Sequence, residues 1–154
     1  MLITEAHRER CNRWLTSGNY GGGSPKVADK LEKLCRKIGA SSVLDYGAGN
    51  CSLRLTIPVR YYEPGLGMDE RQPSDVVLCR NVLPNVESEC LDAVLADVRR
   101  LTLKAAVFRM GTVPAHTRLI IKDAGWWERK LSKHFRIIES TQTERAVSFI
   151  CEPC

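Results

Sequence analysis

The residues best suited to chemistry cluster in Val43-Leu44-Asp45-Tyr46-Gly47-Ala48-Gly49-Asn50-Cys51, an apolar run that passes through an acid into a turn with two glycines. A buried parallel strand has to turn sharply at its C-terminal end. Glycine there permits positive φ and a close ligand approach that a Cβ would block. Gly47 and Gly49 supply that freedom. Asp45 falls where strand gives way to loop, its carboxylate facing the crevice where ligands of open α/β sheets bind. The stretch is expected to offer backbone N–H donors and one anion, and it reads as a cofactor-binding turn.

Two cofactor classes use such a turn, with opposite electrostatic demands. A dinucleotide brings a pyrophosphate, which disfavours a neighbouring carboxylate, and its Gly-x-Gly-x-x-Gly fingerprint is incomplete here because Ser52 holds the third position. S-adenosylmethionine has no phosphate and carries an ammonium and a sulfonium. Asp45 suits that second case.

Val-Leu-Asp-Tyr-Gly-Ala-Gly-Asn resembles the first motif of class I S-adenosylmethionine-dependent methyltransferases, acid-x-Gly-x-Gly-x-Gly, with Cys51 where the last glycine is common. More narrowly, the chain from about Tyr20 to the C-terminus is similar to small methyltransferase-like proteins of phage genomes, in which a Tyr-Gly segment and a helix precede Val-Leu-Asp-Tyr-Gly. The resemblance implies that Asp45, Gly47 and Gly49 hold the cofactor. It also implies that Glu63, closing the second strand, accepts hydrogen bonds from the ribose hydroxyls, since a carboxylate has two oxygens to match a vicinal diol. Arg80-Asn81-Val82-Leu83-Pro84-Asn85 looks like the fourth motif, often Asp-Val-Leu-Glu-His. Asn81 replaces the acid and Asn85 the histidine, which removes both ionisable groups and leaves Asn81 as a hydrogen-bonding residue for cofactor or acceptor. Tyr20, Asn81 and His116 are the candidates at the acceptor, His116 as the best placed histidine for acid–base work.

These residues need elements to hold them. The chain to about Leu15 has a helical pattern, and Thr16 to Pro25 is a glycine-rich loop that is a candidate lid or a plain linker. Ser24 and Pro25 then start a helix whose apolar face is Val27, Leu31, Leu34 and Ile38, ended by Gly39. After the glycine turn only a single helical turn, Ser52 to Thr56, fits before Pro58, and Val59-Arg60-Tyr61-Tyr62 reads as the second strand. Pro64 to Ser74 is too short for a helix and a strand, so the usual third strand is predicted to be missing, and with it the acid that often meets the adenine amino group; Asp69 or Glu70 is a possible substitute. Asp75–Cys79 and Lys104–Met110 read as strands, Ser88–Leu101 and Ala124–His134 as helices, and Arg136–Ser140 with Ala146–Cys151 as a closing hairpin. The implied fold is α/β: a reduced Rossmann-like class I methyltransferase fold. Its sheet is mostly parallel, of order 2-1-4-5-7-6 with the third strand missing, and has an antiparallel C-terminal strand.

Length and composition agree with a single domain over residues 1–154, with 1–24 as N-terminal segment and loop and 25–154 as core. Hydrophobic content of 44% and charged content of 27% are ordinary for a globular protein. No apolar run approaches the ~18–20 residues that span a bilayer, and the N-terminus lacks a signal-peptide pattern, so a cytoplasmic protein is expected, in host cytoplasm if phage-encoded. Seven cysteines, most of them within expected elements, point to reduced thiols. Cys151-Glu152-Pro153-Cys154 reads as a frayed tail, and no metal site is expected. The net charge of +5 is split between clusters interrupted by acids, so nucleic acid ranks behind a small molecule, nucleotide or protein as acceptor. The functional expectation is methyl transfer. Against it stand a non-catalytic domain that keeps the fold to bind a protein or nucleic acid, and an enzyme that cleaves the same cofactor.

Overall fold

The computed structural model describes residues 1–18 and 24–154. Helix α1 (Glu5–Thr16) and helix α2 (Pro25–Ile38) precede β1 (Val43–Tyr46) and β2 (Val59–Tyr62). A 3-10 turn at Pro64–Leu66 leads to β3 (Ser74–Arg80), then short 3-10 turns at Leu83–Asn85 and Ser88–Cys90. Helix α3 (Leu91–Leu101), β4 (Thr102–Gly111), helix α4 (Ala124–Leu131), β5 (Phe135–Gln142) and β6 (Ala146–Pro153) complete the chain. The six strands form one sheet of order β2-β1-β3-β4-β6-β5. Strands β2, β1, β3 and β4 pair in parallel, and β6 pairs antiparallel with both β4 and β5. This is the expected sheet, with nothing between β2 and β3 to supply the missing strand.

The α2 boundaries follow from local chemistry. Ser24 caps the first turn by accepting the Val27 amide, Pro25 is pre-set for the N-terminal position, and Gly39 closes the helix at φ 64°. Period-two alternation then sorts the strands between two layers. On one face Leu44, Val77, Ala106, Phe108 and Phe149 meet α3 and α4 through Leu95, Val98, Trp127 and Leu131. On the other, Val43, Val76, Leu78 and Ala105 meet Leu31 and Cys35 of α2. That alternation places Asp45, Arg80 and Arg109 on the α2 side.

Three local expectations are corrected. Ser52 to Thr56 forms no helix. Its backbone groups are taken by side chains instead: the Thr56 amide donates to the Glu32 carboxylate, the Leu53 carbonyl accepts from the Tyr61 hydroxyl at 2.6 Å, and Arg54 donates to the Cys51 carbonyl at 2.7 Å. The helix expected to reach His134 stops at Leu131, where the Ser132 hydroxyl donates to the Glu128 carbonyl. The C-terminus is not frayed, because β6 runs to Pro153, Cys151 is buried, and Arg99 donates to the Cys154 carbonyl. All seven cysteines are free thiols.

An ion network ties the link that stands in place of the missing strand to α3. Asp97 of α3, 7% exposed at its side chain, takes Arg71 at 2.5 Å, Arg100 at 2.6 Å and the Tyr46 hydroxyl at 2.9 Å. Burial works to raise its pKa, but the bonds from Arg71, Arg100 and Tyr46 outweigh it and hold the carboxyl below its usual range. Arg71 also lies over the Tyr62 ring. The loop before β3 is thereby pinned to α3 and to the floor of β1 and β2.

Candidate functional site

The turn after β1 has the backbone its glycines imply. Gly47 lies at φ 76° and Gly49 at φ 59°, and Cys51 is held at φ 56°, a left-handed conformation that costs a non-glycine residue strain. A Cβ on Gly47 would collide with the Val82 side chain. The amides, however, do not face a ligand. Those of Gly47 and Ala48 both donate to the Tyr62 carbonyl, at 2.8 and 3.0 Å, that of Cys51 to the Ala48 carbonyl, and that of Gly49 to Glu63 Oε2 at 2.9 Å. The expected supply of N–H donors is spent on tying the turn to β2. A phosphate cradle needs several such donors turned outward, so this turn is poorly suited to a pyrophosphate.

What remains is the acid. Asp45 is 8% exposed as a residue, and its carboxylate makes no hydrogen bond or ion pair among the described residues. Burial, and then the nearby Glu63 charge, push its pKa up to about 7, against the pull of Arg80. Glu63 is buried too, and burial raises its pKa, although the Gly49 and Gly65 amides, the latter at 3.0 Å, oppose the shift. Each Glu63 oxygen already accepts one bond and retains one lone-pair direction.

Asn81, at the end of β3, sits at φ 57°. Its Oδ1 accepts from Arg109 Nη1 at 2.7 Å, its amide donates to the Arg109 carbonyl, and its own carbonyl accepts from Asn85 Nδ2. Asn81 is thus locked to β4. Beside it, burial and then the charges of Arg80 and Arg118 lower the pKa of Arg109. The C-terminal ends of the parallel strands thus grade from the acids Glu63 and Asp45 at β2 and β1 to the guanidiniums Arg80 and Arg109 at β3 and β4, with Arg118 of the following loop beside Arg109.

Helix α1 covers the turn. Thr4 meets the Glu87 carboxylate through both its amide and its hydroxyl, Arg8 bonds the Pro64 carbonyl and Asp69, and Asn12 bonds the Gly65 carbonyl. Gly65 is so close that a Cβ there would lie 2.9 Å from Cys11 Cβ. Beneath α1 a cavity of about 50 Å3 is lined by His7, Cys11, Gly47, Glu63, Val82 and Asn85. It has room for a few water molecules, not for a nucleoside. His7 is buried with Nε2 3.5 Å from Cys11 Sγ, and its pKa is lowered by burial and then by Arg10, against Glu87.

No protein-family model matches the sequence, and none of the curated proteins does. Solved structures do resemble it. Magnesium protoporphyrin IX methyltransferase (ChlM) from Synechocystis PCC 6803 with bound SAM superposes with a TM-score of 0.67 at 14% identity, over 96% of this chain and 97% of that one. The same enzyme with bound SAH gives 0.70 at 12% identity, over 96% and 100%. The 16S rRNA methylase ArmA gives 0.55 at 14% identity, over 96% and 98%. The chain has a methyltransferase fold.

Within this methyltransferase fold the expected cofactor residues Asp45, Gly47, Gly49 and Glu63 converge on one turn. Asn81 stands at the neighbouring strand end. His116 is exposed and packs edge-on against Trp14 of α1, with ring centroids 6.4 Å apart. Tyr20 lies outside the described residues. Asp69 serves α1 through Arg8. The sequence reading missed His7 and Cys11, because α1 had no recognisable site motif. It also missed Arg80 and Arg109, whose only signal was a cation at alternate positions within otherwise apolar strands.

Proposed function

We propose that this chain is an S-adenosylmethionine-dependent methyltransferase that binds the cofactor at the turn after β1. The observation that carries this reading is the Asp45 carboxylate: buried, without a hydrogen bond among the described residues, and set beneath a positive-φ turn whose amides are already used. Such a group suits a cation and repels a phosphate. When bound, the cofactor would supply an activated methyl group from its sulfonium.

The chain's own residues then have to position and to exclude water, which can supply ~7–11 kcal/mol of a barrier. Asp45 faces the cationic end, and the second lone-pair direction of each Glu63 oxygen is available to the ribose. Asn81, locked by Arg109, is the acceptor-side candidate that the structure describes beside the turn, and His116 and Tyr20 are the further candidates from the sequence. No strong base is required of them, since general-base help adds only ~10²–10⁴-fold where the acceptor must lose a proton. The cavity that α1 leaves over Gly47 and Glu63 is about 50 Å3, too small for a nucleoside, and a shift of α1 would enlarge it.

That same closure favours a second reading, a non-catalytic domain that keeps the fold and binds a protein or nucleic acid. Titration calorimetry with S-adenosylmethionine separates the two. Binding that D45A and E63A remove supports the enzyme, and absence of heat and thermal shift at millimolar cofactor leaves the binding domain. Seven free thiols suit a reducing, cytoplasmic setting. Among the described residues no helix is long and apolar enough to cross a membrane.

A further inference from the structure

On the α2 face, α2 packs on β1, β3 and Ala105 of β4. Beyond α2 lies a cavity of about 350 Å3, whose charged lining is Lys26 and Lys30 from α2, Arg80 from β3, Arg109 from β4 and Glu139 from β5. Its volume is in the small-ligand range of ~300–1,000 Å3. Leu78, Val107 and Ile150 give it an apolar floor.

The charge balance of this cavity is uneven. Arg109 spends Nη1 on the neutral Asn81 amide oxygen, and the adjacent Arg118 spends its own on the Val113 carbonyl. No ion pair among the described residues reaches Arg109 or Arg118, and their like charges weigh on each other. Glu139 is the acid of the lining, and it lies exposed on the outer strand. With Arg80 set against Asp45, the cations Arg109, Lys26 and Lys30 against the exposed Glu139 carboxylate leave a surplus of two that a dianion would balance and a monocarboxylate would not. Guanidinium forks and lysine ammoniums are also the groups that recognise phosphate oxygens.

We infer that this cavity binds a small phosphomonoester, its phosphate held by Arg109 with Lys26 and Lys30 beside it, and its organic part on the Leu78, Val107 and Ile150 floor. Resting on the methyltransferase reading, this ligand is the methyl acceptor. The end of the sheet is then divided, with an acid for the cationic cofactor at β1 and the Arg109 guanidinium for the anionic acceptor at β4.

The test is calorimetry of the full chain with a nucleoside 5′-monophosphate, the same nucleoside without phosphate, and inorganic phosphate, followed by S-adenosylhomocysteine as a separate titrant. The monophosphate is expected to bind at least tenfold more tightly than the nucleoside, with R109Q and the double variant K26Q/K30Q each losing about tenfold, as for charge-assisted hydrogen bonds. K26Q/K30Q changes only the exposed side of α2, so it reads the site even if R109Q fails to fold. Binding of S-adenosylhomocysteine should be unchanged in K26Q/K30Q. No monophosphate binding at millimolar concentration, or binding indifferent to K26Q/K30Q, overturns the proposal. So does an oligonucleotide that binds far more tightly than the monophosphate, or a loss in R109Q confined to S-adenosylhomocysteine, which would assign Arg109 to the cofactor carboxylate. If the monophosphate binds as expected and S-adenosylhomocysteine does not bind at all, the phosphate site stands and the methyl-transfer reading falls.

Discussion

Glu63 Oε2 accepts the Gly49 amide at 2.9 Å, so the carboxylate that ends β2 holds the glycine turn that follows β1. The same carboxylate accepts the Gly65 amide on its other oxygen, and α1 packs directly on Gly65. One acid thereby couples the shape of the cofactor turn to the helix that covers it.

E63A should therefore act on stability as well as on ligand. It removes two charge-assisted hydrogen bonds while sparing the cost of burying a carboxylate, and a net loss of about 2 kcal/mol is expected in urea unfolding. S-adenosylmethionine binding should weaken more than tenfold in the fraction that remains folded. Unaltered stability would mean that the turn holds its shape without this tie.

The pH dependence of cofactor binding follows from Asp45. Its pKa is pushed up to about 7, first by burial and then by Glu63. Only the ionised form attracts an ammonium or sulfonium, so affinity should rise with pH up to about 7 and level off above it, changing about tenfold per pH unit below that point. Calorimetry at pH 5.5, 6.5 and 8, values chosen on either side of about 7, reads the slope directly. A flat profile would show that Asp45 does not contact the cationic end.

Asp45 also sets a stability difference in the ligand-free protein. Because folding raises its pKa from 3.8 to about 7, the native state binds the extra proton between those values. Stability is then greatest below the unfolded pKa and falls as pH rises through the folded one. D45N removes the penalty. It should stabilise the ligand-free protein by roughly 2–4 kcal/mol at pH 8 and by almost nothing near pH 4, while abolishing cofactor binding. A destabilised D45N at pH 8 would contradict this.

The clamp between Thr4 and Glu87 sets how readily α1 lifts. E87A leaves the Thr4 cap on the His7 amide in place and removes only the bonds to the far side. If α1 must open before cofactor enters, affinity carries the open fraction as a factor, and E87A should improve it by roughly threefold to tenfold. Stopped-flow binding should show the gain in the association rate. An unchanged rate would remove α1 as the gate.

Asp97 is the test of how the fold survives without its third strand. D97A strands Arg71 and the buried Tyr46 hydroxyl, and a loss of about 3 kcal/mol is expected in thermal or denaturant unfolding. The phosphomonoester site lies on the opposite face of the sheet and should bind as before.

Much of the fold can be read locally. Ser24, Pro25 and Gly39 mark α2 because caps act within a few residues of themselves, and the short link from Glu63 to Ser74 excludes a helix and strand because chain length alone forbids them. Asp45 and its two glycines are legible for the same reason: strand, acid and turn are contiguous. The use of those groups was decided elsewhere. The Gly47 and Ala48 amides turn to the Tyr62 carbonyl because the β1–β2 register sets Tyr46 beside Tyr62. Arg80 and Arg109 become neighbours because β3 and β4 align them in register, and α1 reaches the turn only through side chains that find Pro64, Gly65 and Glu87. The sequence by itself determined the limits of α2, the short link that leaves out a strand and the glycine turn after β1, since each follows from local capping, chain length or contiguity, while the strand order came with the family resemblance. Only the tertiary structure decided which donors were spent, what covers the site and where the cations gather, since these depend on register between segments far apart in the chain.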